Sequence, residues 1–394
     1  MQKSSIKELV TKFKGIDFTL EFWDGECIQV GDHTPKFKVI LKEPIHTFDF
    51  IRSYTLAFGE AYMKGTLEIE GDLYEALDAI LQYKRCFPTH FHLLPNLFNT
   101  STSKQNQKKQ VSSHYDLGND FYKLWLDETM SYSCAYFEQP TYTLYQAQMS
   151  KIHYILRKLN LKEGDSLLDI GCGWGNLLIE AAKKYGIRGV GITLSKEQFA
   201  AFNDKIKAEN LCDQLEVRLM DYRDLSKCED RFDRIVSVGM LEHVGRKNYD
   251  LFFKSLDHVL KDEGVLLLHY ISSLTESPGD AWIKKYIFPG GVIPSLREII
   301  SLSANYHYYT IDVESLRRHY TKTLLCWLHN FNYALPEISK DFDQDFIRMW
   351  RLYLASCAAC FNNGIVDLHQ IVFTKHVNNE LPLTRRPLYP NDSF

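Results

Sequence analysis

Short apolar segments alternate with helical stretches from about residue 166 to residue 269, and this alternation restricts the fold more than any other feature. The segments have the length and composition of buried β-strands. They are residues 166–170, 189–192, 215–219, 233–238 and 264–269. Because parallel strands need a crossover helix between them, the pattern predicts an α/β fold with a doubly wound, mostly parallel sheet.

The first predicted strand runs into a glycine-rich turn and then into a helical stretch at 176–184. The glycines of this turn are Gly171, Gly173 and Gly175. Glycines at a strand-to-helix turn let the backbone approach a ligand, and the open amides of the helix start suit polar groups. The spacing departs from the GxGxxG dinucleotide fingerprint, and residues 193–195 (TLS) replace the expected acidic ribose ligand. The turn therefore favours a nucleoside cofactor other than NAD.

Residues beside this turn favour a cofactor that carries an amino acid. Asp169 directly precedes the glycines and can accept a hydrogen bond from an ammonium group, which a dinucleotide site would not need. After the third strand, Tyr222 and Arg223 offer an aromatic and polar edge for an adenine ring.

Several further motifs occur in a fixed order along the chain. They are 114–120 (HYDLGND), 132–137 (YSCAYF), 168–175 (LDIGCGWG), 193–198 (TLSKEQ), 237–245 (SVGMLEHVG), 286–291 (YIFPGG) and 319–320 (HY). With these motifs the chain, from about residue 58 to about residue 373, resembles the family of cyclopropane-fatty-acyl-phospholipid synthases and mycolic acid cyclopropane synthases.

The resemblance implies a seven-stranded, Rossmann-like class I methyltransferase sheet that binds S-adenosylmethionine. It implies transfer of a methylene group to the cis double bond of an unsaturated acyl chain, which forms a cyclopropane ring. The N-terminal segment resembles an extension of the phospholipid enzymes that the mycolic acid enzymes lack, so the expected substrate is a membrane phospholipid. The residues expected at the cofactor are Tyr132, Ser133, Asp169, Gly171, Gly173, Gly175, Thr193, Leu194, Gln198, Tyr222 and Arg223.

The reaction needs close in-line placement, because an alkene is a poor nucleophile toward a sulfonium methyl group. Attack leaves a carbocation, and the new methyl group must then lose a proton. The resemblance implies that bound bicarbonate is the base and that Cys134, Glu242, His269, Ile271 and Tyr320 hold it. Cys134 and Ile271 would act through their backbone, His269 and Tyr320 would donate, and Glu242 would orient other groups or accept the bicarbonate O–H.

Other interpretations of these side chains stay open at this point. A Cys134 thiolate could be a nucleophile, although no adjacent base is visible. His269 and Tyr320 could each be core residues, and His243 is assigned no catalytic role. Aromatic residues could stabilise the cation or simply line an acyl channel. They are Tyr286, Phe288, Tyr306, Tyr308 and Tyr309.

The chain is long enough for two domains. We expect a smaller α+β domain at 1–98 that engages lipid or dimerises, a polar linker at 99–113, and a catalytic domain at 114–394. Insertions after Leu241 and His269 would cover an acyl channel. Whether the protein forms a homodimer stays open.

Composition narrows the partners and the compartment. A net charge of -4 argues against a surface built for nucleic acid. The nine cysteines lack disulfide or zinc spacing, so no metal is expected. No apolar run reaches the roughly 18 residues of a spanning helix, and the N-terminus lacks signal-peptide features. We expect a cytoplasmic protein that transiently contacts the inner face of the membrane, with Lys104, Lys108 and Lys109 as candidate contacts.

Two alternative functions remain at this stage. One is methylation without ring closure, giving a methyl-branched or methylene product or a C-methylated sphingolipid base. The other is a catalytically silent protein that binds lipid or senses S-adenosylmethionine. The complete set of expected bicarbonate ligands favours cyclopropane formation.

Overall fold

The computed structural model describes residues 3–46, 50, 53–83 and 117–389. Its strands are β1 (Phe18–Glu21), β2 (Cys27–Val30), β3 (Phe37–Leu41), β4 (Leu67–Glu70), β5 (Ser166–Ile170), β6 (Arg188–Thr193), β7 (Leu215–Leu219), β8 (Phe232–Val238), β9 (Leu260–Ser272), β10 (Tyr308–Ser315) and β11 (Asp367–Lys375). Its helices are α1 (Lys3–Val10), α2 (Tyr54–Met63), α3 (Leu73–Leu81), α4 (Asn119–Lys123), α5 (Leu144–Lys158), α6 (Asn176–Tyr185), α7 (Lys196–Ala208), α8 (Leu241–Val244), α9 (Tyr249–Val259), α10 (Ala281–Tyr286), α11 (Leu296–Ala304), α12 (Arg317–Tyr333), α13 (Leu335–Ile338) and α14 (Gln344–Asn362).

The described residues form two compact units. The first takes its residues from segments 1–100, 279–289 and 324–365, and the second from 101–278, 290–323 and 366–394. No helix among the described residues combines the length and apolarity needed to cross a membrane.

The first unit is built on a four-stranded sheet with the order β2-β1-β3-β4. β3 alternates buried and partly exposed residues, as its sequence predicts for a sheet with one buried face. Helix α14 packs against α2 and α3. Arg348 of α14 donates to the carbonyl oxygens of Tyr62 at 2.5 Å and Leu67 at 3.1 Å, and to the Glu68 carboxylate at 2.9 Å. The predicted small α+β fold is confirmed.

The second unit is built on a seven-stranded sheet with the order β10-β11-β9-β8-β5-β6-β7. The pairs from β9 to β7 are parallel, and β11 is antiparallel to both of its neighbours. Residues of β5 and β9 point alternately into apolar clusters on opposite faces, which is why these strands read as continuous apolar runs. The doubly wound, mostly parallel methyltransferase fold is confirmed.

Four predicted strands agree with β5, β6, β7 and β8 to within one residue at each end, whereas β9 is longer than predicted. β9 extends to Ser272 because it pairs with β11, so that His269 lies inside the strand opposite Gln370. The expectation that His269 ends its strand is therefore wrong. The register also places Val238, the last residue of β8, beside His269.

The predicted domain boundary is not tested by these residues. The linker at 99–113 lies outside the described ranges. Segments 279–289 and 324–365, which the sequence analysis placed in the catalytic domain, belong to the first unit because α10 and α14 pack on α2. The division at residues 98 and 114 stays a prediction.

Candidate active site

A pocket of the second unit lies at the carboxyl ends of β5, β6 and β8. The strand order reverses here, because β6 lies next to β5 on one side and β8 lies next to β5 on the other. Such switch points are the usual ligand sites of doubly wound sheets. The predicted cofactor residues that line the pocket are Tyr132, Ser133, Asp169, Gly171, Gly173, Gly175, Thr193, Leu194, Gln198 and Tyr222.

The glycine turn brings the backbone to the floor of this pocket. Gly171 and Gly175 have φ values of 82° and 84°, which disfavour any residue with a Cβ atom. A Cβ atom on Gly175 would also overlap the buried ring of Phe202. Trp174 of the turn donates from its indole N–H to Asn119 Oδ1 at 3.0 Å. This hydrogen bond joins the turn to the sequence motif at 114–120. His114, Tyr115 and Asp116 of that motif lie outside the described residues.

The loop after β6 is held by its own side chains. Ser195 accepts a hydrogen bond from the Gln198 amide at 3.3 Å and so begins α7. The Thr193 hydroxyl donates to Gln198 Oε1 at 2.8 Å. This arrangement fixes Leu194 at the pocket edge.

Asp169 presents an unused acceptor to the pocket. The residue is 3% exposed, and its Oδ1 atom has no hydrogen-bond partner among the described residues. Burial raises the pKa of Asp169 to about 7, and the nearby Lys151 ammonium opposes this shift. The carboxyl group is therefore suited to a cationic partner such as the ammonium group that the sequence analysis expected.

Lys151 is a pocket residue that the sequence analysis missed. It is 4% exposed, and its ammonium group donates to Ser133 Oγ at 2.8 Å. Gln148, one turn earlier on α5, donates to the carbonyl oxygens of Ser131 and Ser133 at 3.2 and 3.0 Å. The signal was available, because Gln148, Lys151 and Lys158 recur at helical spacing on the face that carries the apolar residues of α5.

Tyr222 and Arg223 have different positions. Tyr222 lines the pocket, whereas Arg223 is not among its lining residues. The Arg223 guanidinium pairs with the Asp221 carboxylate, with Nε–Oδ1 and Nη2–Oδ2 distances of 2.8 and 2.5 Å. Arg223 also lies over the Tyr222 ring, 5.5 Å from its centroid. Its direct contact with the cofactor stays a prediction.

Glu242 and Ile271 are brought into direct contact. The Ile271 amide donates to Glu242 Oε1 at 2.6 Å, while Glu242 Oε2 is buried and has no partner in the described part of the chain. Burial raises the pKa of Glu242 to about 7. The Ile271 N–H thus holds Glu242 in place, and the free oxygen is an acceptor for another group.

His269 lies two residues before Ile271 on β9. Its Nδ1 atom lies 3.1 Å from Gln370 Nε2 of β11, and its Nε2 atom is buried without a hydrogen-bond partner in the ranges described above. Burial and the charges of Lys151 and Lys158 hold the pKa of His269 well below its ordinary value, so the ring is neutral.

Cys134 and Tyr320 meet near the start of α12. The Cys134 thiol lies 3.9 Å from the Leu316 carbonyl oxygen, which also accepts the Tyr320 amide at 3.1 Å. Burial raises the pKa of the Cys134 thiol, which stays protonated at neutral pH and is a poor nucleophile. A role through the backbone is the interpretation that fits.

The Lys151 charge acts on the pKa values of two predicted catalytic residues, Cys134 and His269, and of the predicted cofactor residue Asp169. His243 lines the pocket, and burial lowers its pKa to about 4. The five aromatic residues proposed to face the cation are not among the pocket-lining residues. Tyr308, for example, packs against Phe253 and Phe373 in the core.

Comparison with known proteins assigns the chain to a family. A family model described as mycolic acid cyclopropane synthetase matches residues 102–371, and a model of a domain of unknown function matches residues 5–90. A probable fatty acid methyltransferase of Pseudomonas putida is 38% identical over 380 residues, which are 94% of this chain and 95% of the relative. The cyclopropane-fatty-acyl-phospholipid synthase of Escherichia coli (strain K12) is 39% identical over 353 residues, which are 88% and 90% of the two chains.

A solved relative connects the family to a cofactor. The crystal structure of the mycolic acid cyclopropane synthase CmaA1 complexed with SAH and CTAB is 35% identical, with a TM-score of 0.62, and the match covers 68% of this chain and 98% of that chain. Its bound SAH supports S-adenosylmethionine as the cofactor predicted from the sequence. Since the family model covers more than half of the residues and the fold agrees, this chain belongs to the mycolic acid cyclopropane synthetase family of S-adenosylmethionine-dependent methyltransferases.

Proposed function

We propose that this protein transfers a methylene group from S-adenosylmethionine to the cis double bond of a phospholipid acyl chain and forms a cyclopropane ring. The observation that carries the proposal is that two buried polar atoms, Glu242 Oε2 and His269 Nε2, have no hydrogen-bond partner among the described residues. Buried polar atoms are normally paired, and a catalytic role or a bound water or ion is one explanation of an exception. The two atoms lie toward the carboxyl ends of the parallel strands, where the cofactor pocket also lies.

S-adenosylmethionine supplies an electrophilic methyl group on its sulfonium. Asp169 would accept from its ammonium group through the unpaired Oδ1 atom, and Tyr222 would face the adenine. The backbone of the glycine turn would hold the nucleoside. The chain itself therefore binds and orients the methyl donor, and close placement supplies a large part of the rate.

Bicarbonate would supply the base that removes the proton from the substrate cation. The side chains present fit such an ion, because Glu242 Oε2 can accept its O–H and His269 and Tyr320 can donate to its oxygens. Cys134 and Ile271 support the site through their backbone, and Ile271 does so by fixing Glu242.

The length of the match supports a phospholipid substrate. The Escherichia coli phospholipid enzyme aligns with 88% of this chain. The mycolic acid enzyme CmaA1 aligns with only 68% of this chain, although 98% of the CmaA1 chain is aligned. The mycolic acid cyclopropane synthetase model begins at residue 102, so it leaves out residues 1–100 of the first unit. We assign to that unit contact with the membrane surface or with a second subunit.

The decisive experiment is mass spectrometry of lipids after incubation with S-adenosylmethionine, bicarbonate and vesicles of a cis-monounsaturated phospholipid. A gain of one CH2 unit with loss of the olefin supports cyclopropane formation. The same gain with the olefin retained means methylation without ring closure, and no gain with intact cofactor binding means a binding protein. A parallel incubation with the free unsaturated fatty acid tests the headgroup requirement.

A pair of matched variants tests the site. Glu242→Gln places an amide N–H where the free acceptor lies, so we expect turnover to fall about 10²-fold or more. Glu298→Gln is the control, because a glutamine at this third position of α11 preserves the capping box. Equal losses in both variants would contradict the assignment of Glu242.

Membrane contact and oligomeric state need separate measurements. We expect co-sedimentation with anionic liposomes that weakens as salt is added, because basic side chains would make the contact. Binding that is absent or insensitive to salt would refute this mode of contact. Analytical ultracentrifugation decides between a monomer and a homodimer.

A further inference from the structure

A row of buried, hydrogen-bonded polar side chains connects Lys158 of α5 to the Nδ1 atom of His269. Lys158 Nζ lies 2.5 Å from Glu314 Oε2 and 2.9 Å from Gln370 Oε1. Gln370 Nε2 lies 3.1 Å from His269 Nδ1. Lys158 is 5% exposed, His269 is 1% exposed and Gln370 is fully buried. None of these residues lines the cofactor pocket.

The chemistry of these groups fixes the direction of each hydrogen bond. An ammonium group only donates, so the amide atom that faces Lys158 must be the oxygen of Gln370. The NH2 group of Gln370 then faces His269 and donates to Nδ1. A neutral imidazole carries one N–H, and Nδ1 is already an acceptor. The proton of His269 is therefore on Nε2, the atom without a partner among the described side chains.

The cation at the start of the row is itself well held. Glu314 pairs with Lys158, and Tyr154 donates to the same Glu314 oxygen at 2.9 Å. The Lys158 ammonium also lies over the Tyr154 ring, 4.4 Å from its centroid. Burial opposes the charge of Lys158, and Glu314 favours it. The carboxylate and the ring together keep Lys158 a donor toward Gln370.

We propose that Lys158 and Gln370 are positioning residues that lock His269 as the Nε2–H tautomer, so that it donates to an oxyanion and does not act as a base. The identity of the oxyanion rests on the proposed function, whereas the tautomer rests on the hydrogen bonds alone. A lone pair on Nε2 would be a nucleophile beside the substrate carbocation. The locked tautomer removes that lone pair and supplies a buried N–H for a bound anion.

Nitrogen-15 NMR of the histidine side chains tests the tautomer on the protein alone. The His269 signals are identified by their loss in His269→Asn, and we expect the Nε2–H pattern at neutral pH. Gln370→Glu replaces the donor with a carboxylate that only accepts, so Nδ1 must carry a proton. We expect the signals to change to the Nδ1–H or doubly protonated form.

Turnover measured on the same variants tests the consequence. In Gln370→Glu we expect kcat to fall about 10²-fold while affinity for S-adenosylmethionine is unchanged, as for the loss of one anion-binding donor. Lys158→Met frees the Gln370 amide to rotate, and we expect a mixed tautomer with a roughly tenfold loss. Thr374→Val is the control, since it removes the side-chain hydrogen bond of a buried residue in the same strand without touching His269.

The outcomes separate this inference from the proposed function. An Nδ1–H or doubly protonated His269 in the unaltered protein overturns the inference, as does an Nε2–H signal that persists in both Gln370→Glu and Lys158→Met. If Gln370→Glu fails to fold, Lys158→Met decides. The expected tautomer together with no lipid product would support the lock and refute the proposed reaction. A lipid product with the other tautomer would support the proposed reaction and refute the locked tautomer.

Discussion

Asp169 gives the sharpest prediction, because its protonation state is coupled to its proposed contact with the cofactor ammonium group. Burial raises the pKa of this carboxyl from 3.8 to about 7. A cofactor ammonium is attracted by the carboxylate only, so binding below that pKa must expel a proton. We expect the affinity for S-adenosylmethionine to fall about tenfold, or about 1.4 kcal/mol, for each pH unit below about 7. In Asp169→Asn the affinity should be weak and independent of pH in this range.

Isothermal titration calorimetry in buffers of different ionisation enthalpy measures both the affinity and the proton released. Titrations should extend from about pH 5.5 to about pH 8, on either side of the pKa. Glu242→Gln is the matched control, because Glu242 has a pKa raised to about 7 as well but does not line the cofactor pocket. This control should keep the pH dependence of binding. A flat profile in the unaltered protein, or a sloping one in Asp169→Asn, would refute the role of Asp169.

The same shift predicts how pH affects stability without cofactor. Between about pH 4 and about pH 7 the unfolded chain has lost the Asp169 proton and the folded chain retains it. The folded state then binds more protons, so its free energy of unfolding falls as pH rises through this window. The contribution is roughly 4 kcal/mol from a shift of about three pKa units. Denaturant titrations of the unaltered protein and of Asp169→Asn should diverge in this direction, and parallel curves would contradict it.

Three further variants test the pocket. Gly175→Ala should lower the free energy of unfolding by about 2–5 kcal/mol, because the backbone is left-handed and the new Cβ atom overlaps Phe202. The control is Gly164→Ala, which has φ +81° and open space around it, and which should lower the free energy of unfolding by only about 1–2 kcal/mol. Equal losses of the two variants in denaturant titrations would refute the overlap. Cys134→Ala should retain turnover within about tenfold, since a protonated thiol is not the nucleophile; loss of all product would refute this. In Lys151→Met, the pH below which cofactor affinity falls should be higher, because the Lys151 charge lowers the pKa of Asp169. Calorimetry measures this pH, and an unchanged value would contradict the effect of Lys151.

The sequence predicted residues that line the pocket because their signals are local, whereas their contact with the cofactor stays a prediction. Glycines with φ values near 80°, a carboxylate before them and a capped helix after β6 are set by neighbours in the chain. The position of Arg223 was less predictable, since the competing partner Asp221 captures its guanidinium. Local composition indicates that a charged side chain is near a site but not which partner it binds.

The supporting residues escaped prediction because their partners are distant in the chain. Gln370 meets His269 only through the pairing of β11 with β9, and no strand was predicted at β11. Lys158 shares the apolar face of α5, so its burial could be inferred from helical spacing, but its partners Glu314 and Gln370 could not. The grouping of segments 279–289 and 324–365 with the first unit has the same cause, because packing on α2 unites residues that the chain separates widely.

Burial sets the protonation states of side chains at and near the pocket, which bears on a reaction that passes through a carbocation. Burial pushes Cys134 toward the thiol, His243 toward the neutral ring and Glu242 toward the protonated acid. The shifts of Cys134 and Glu242 lower the share of each side chain that carries a negative charge, whereas the neutral His243 ring keeps a lone pair. If His269 has its proton on Nε2, the last strong side-chain nucleophile of the predicted catalytic set is also removed. Under the proposed function, the proton acceptor would be a bound bicarbonate ion, held by the donors His269 and Tyr320.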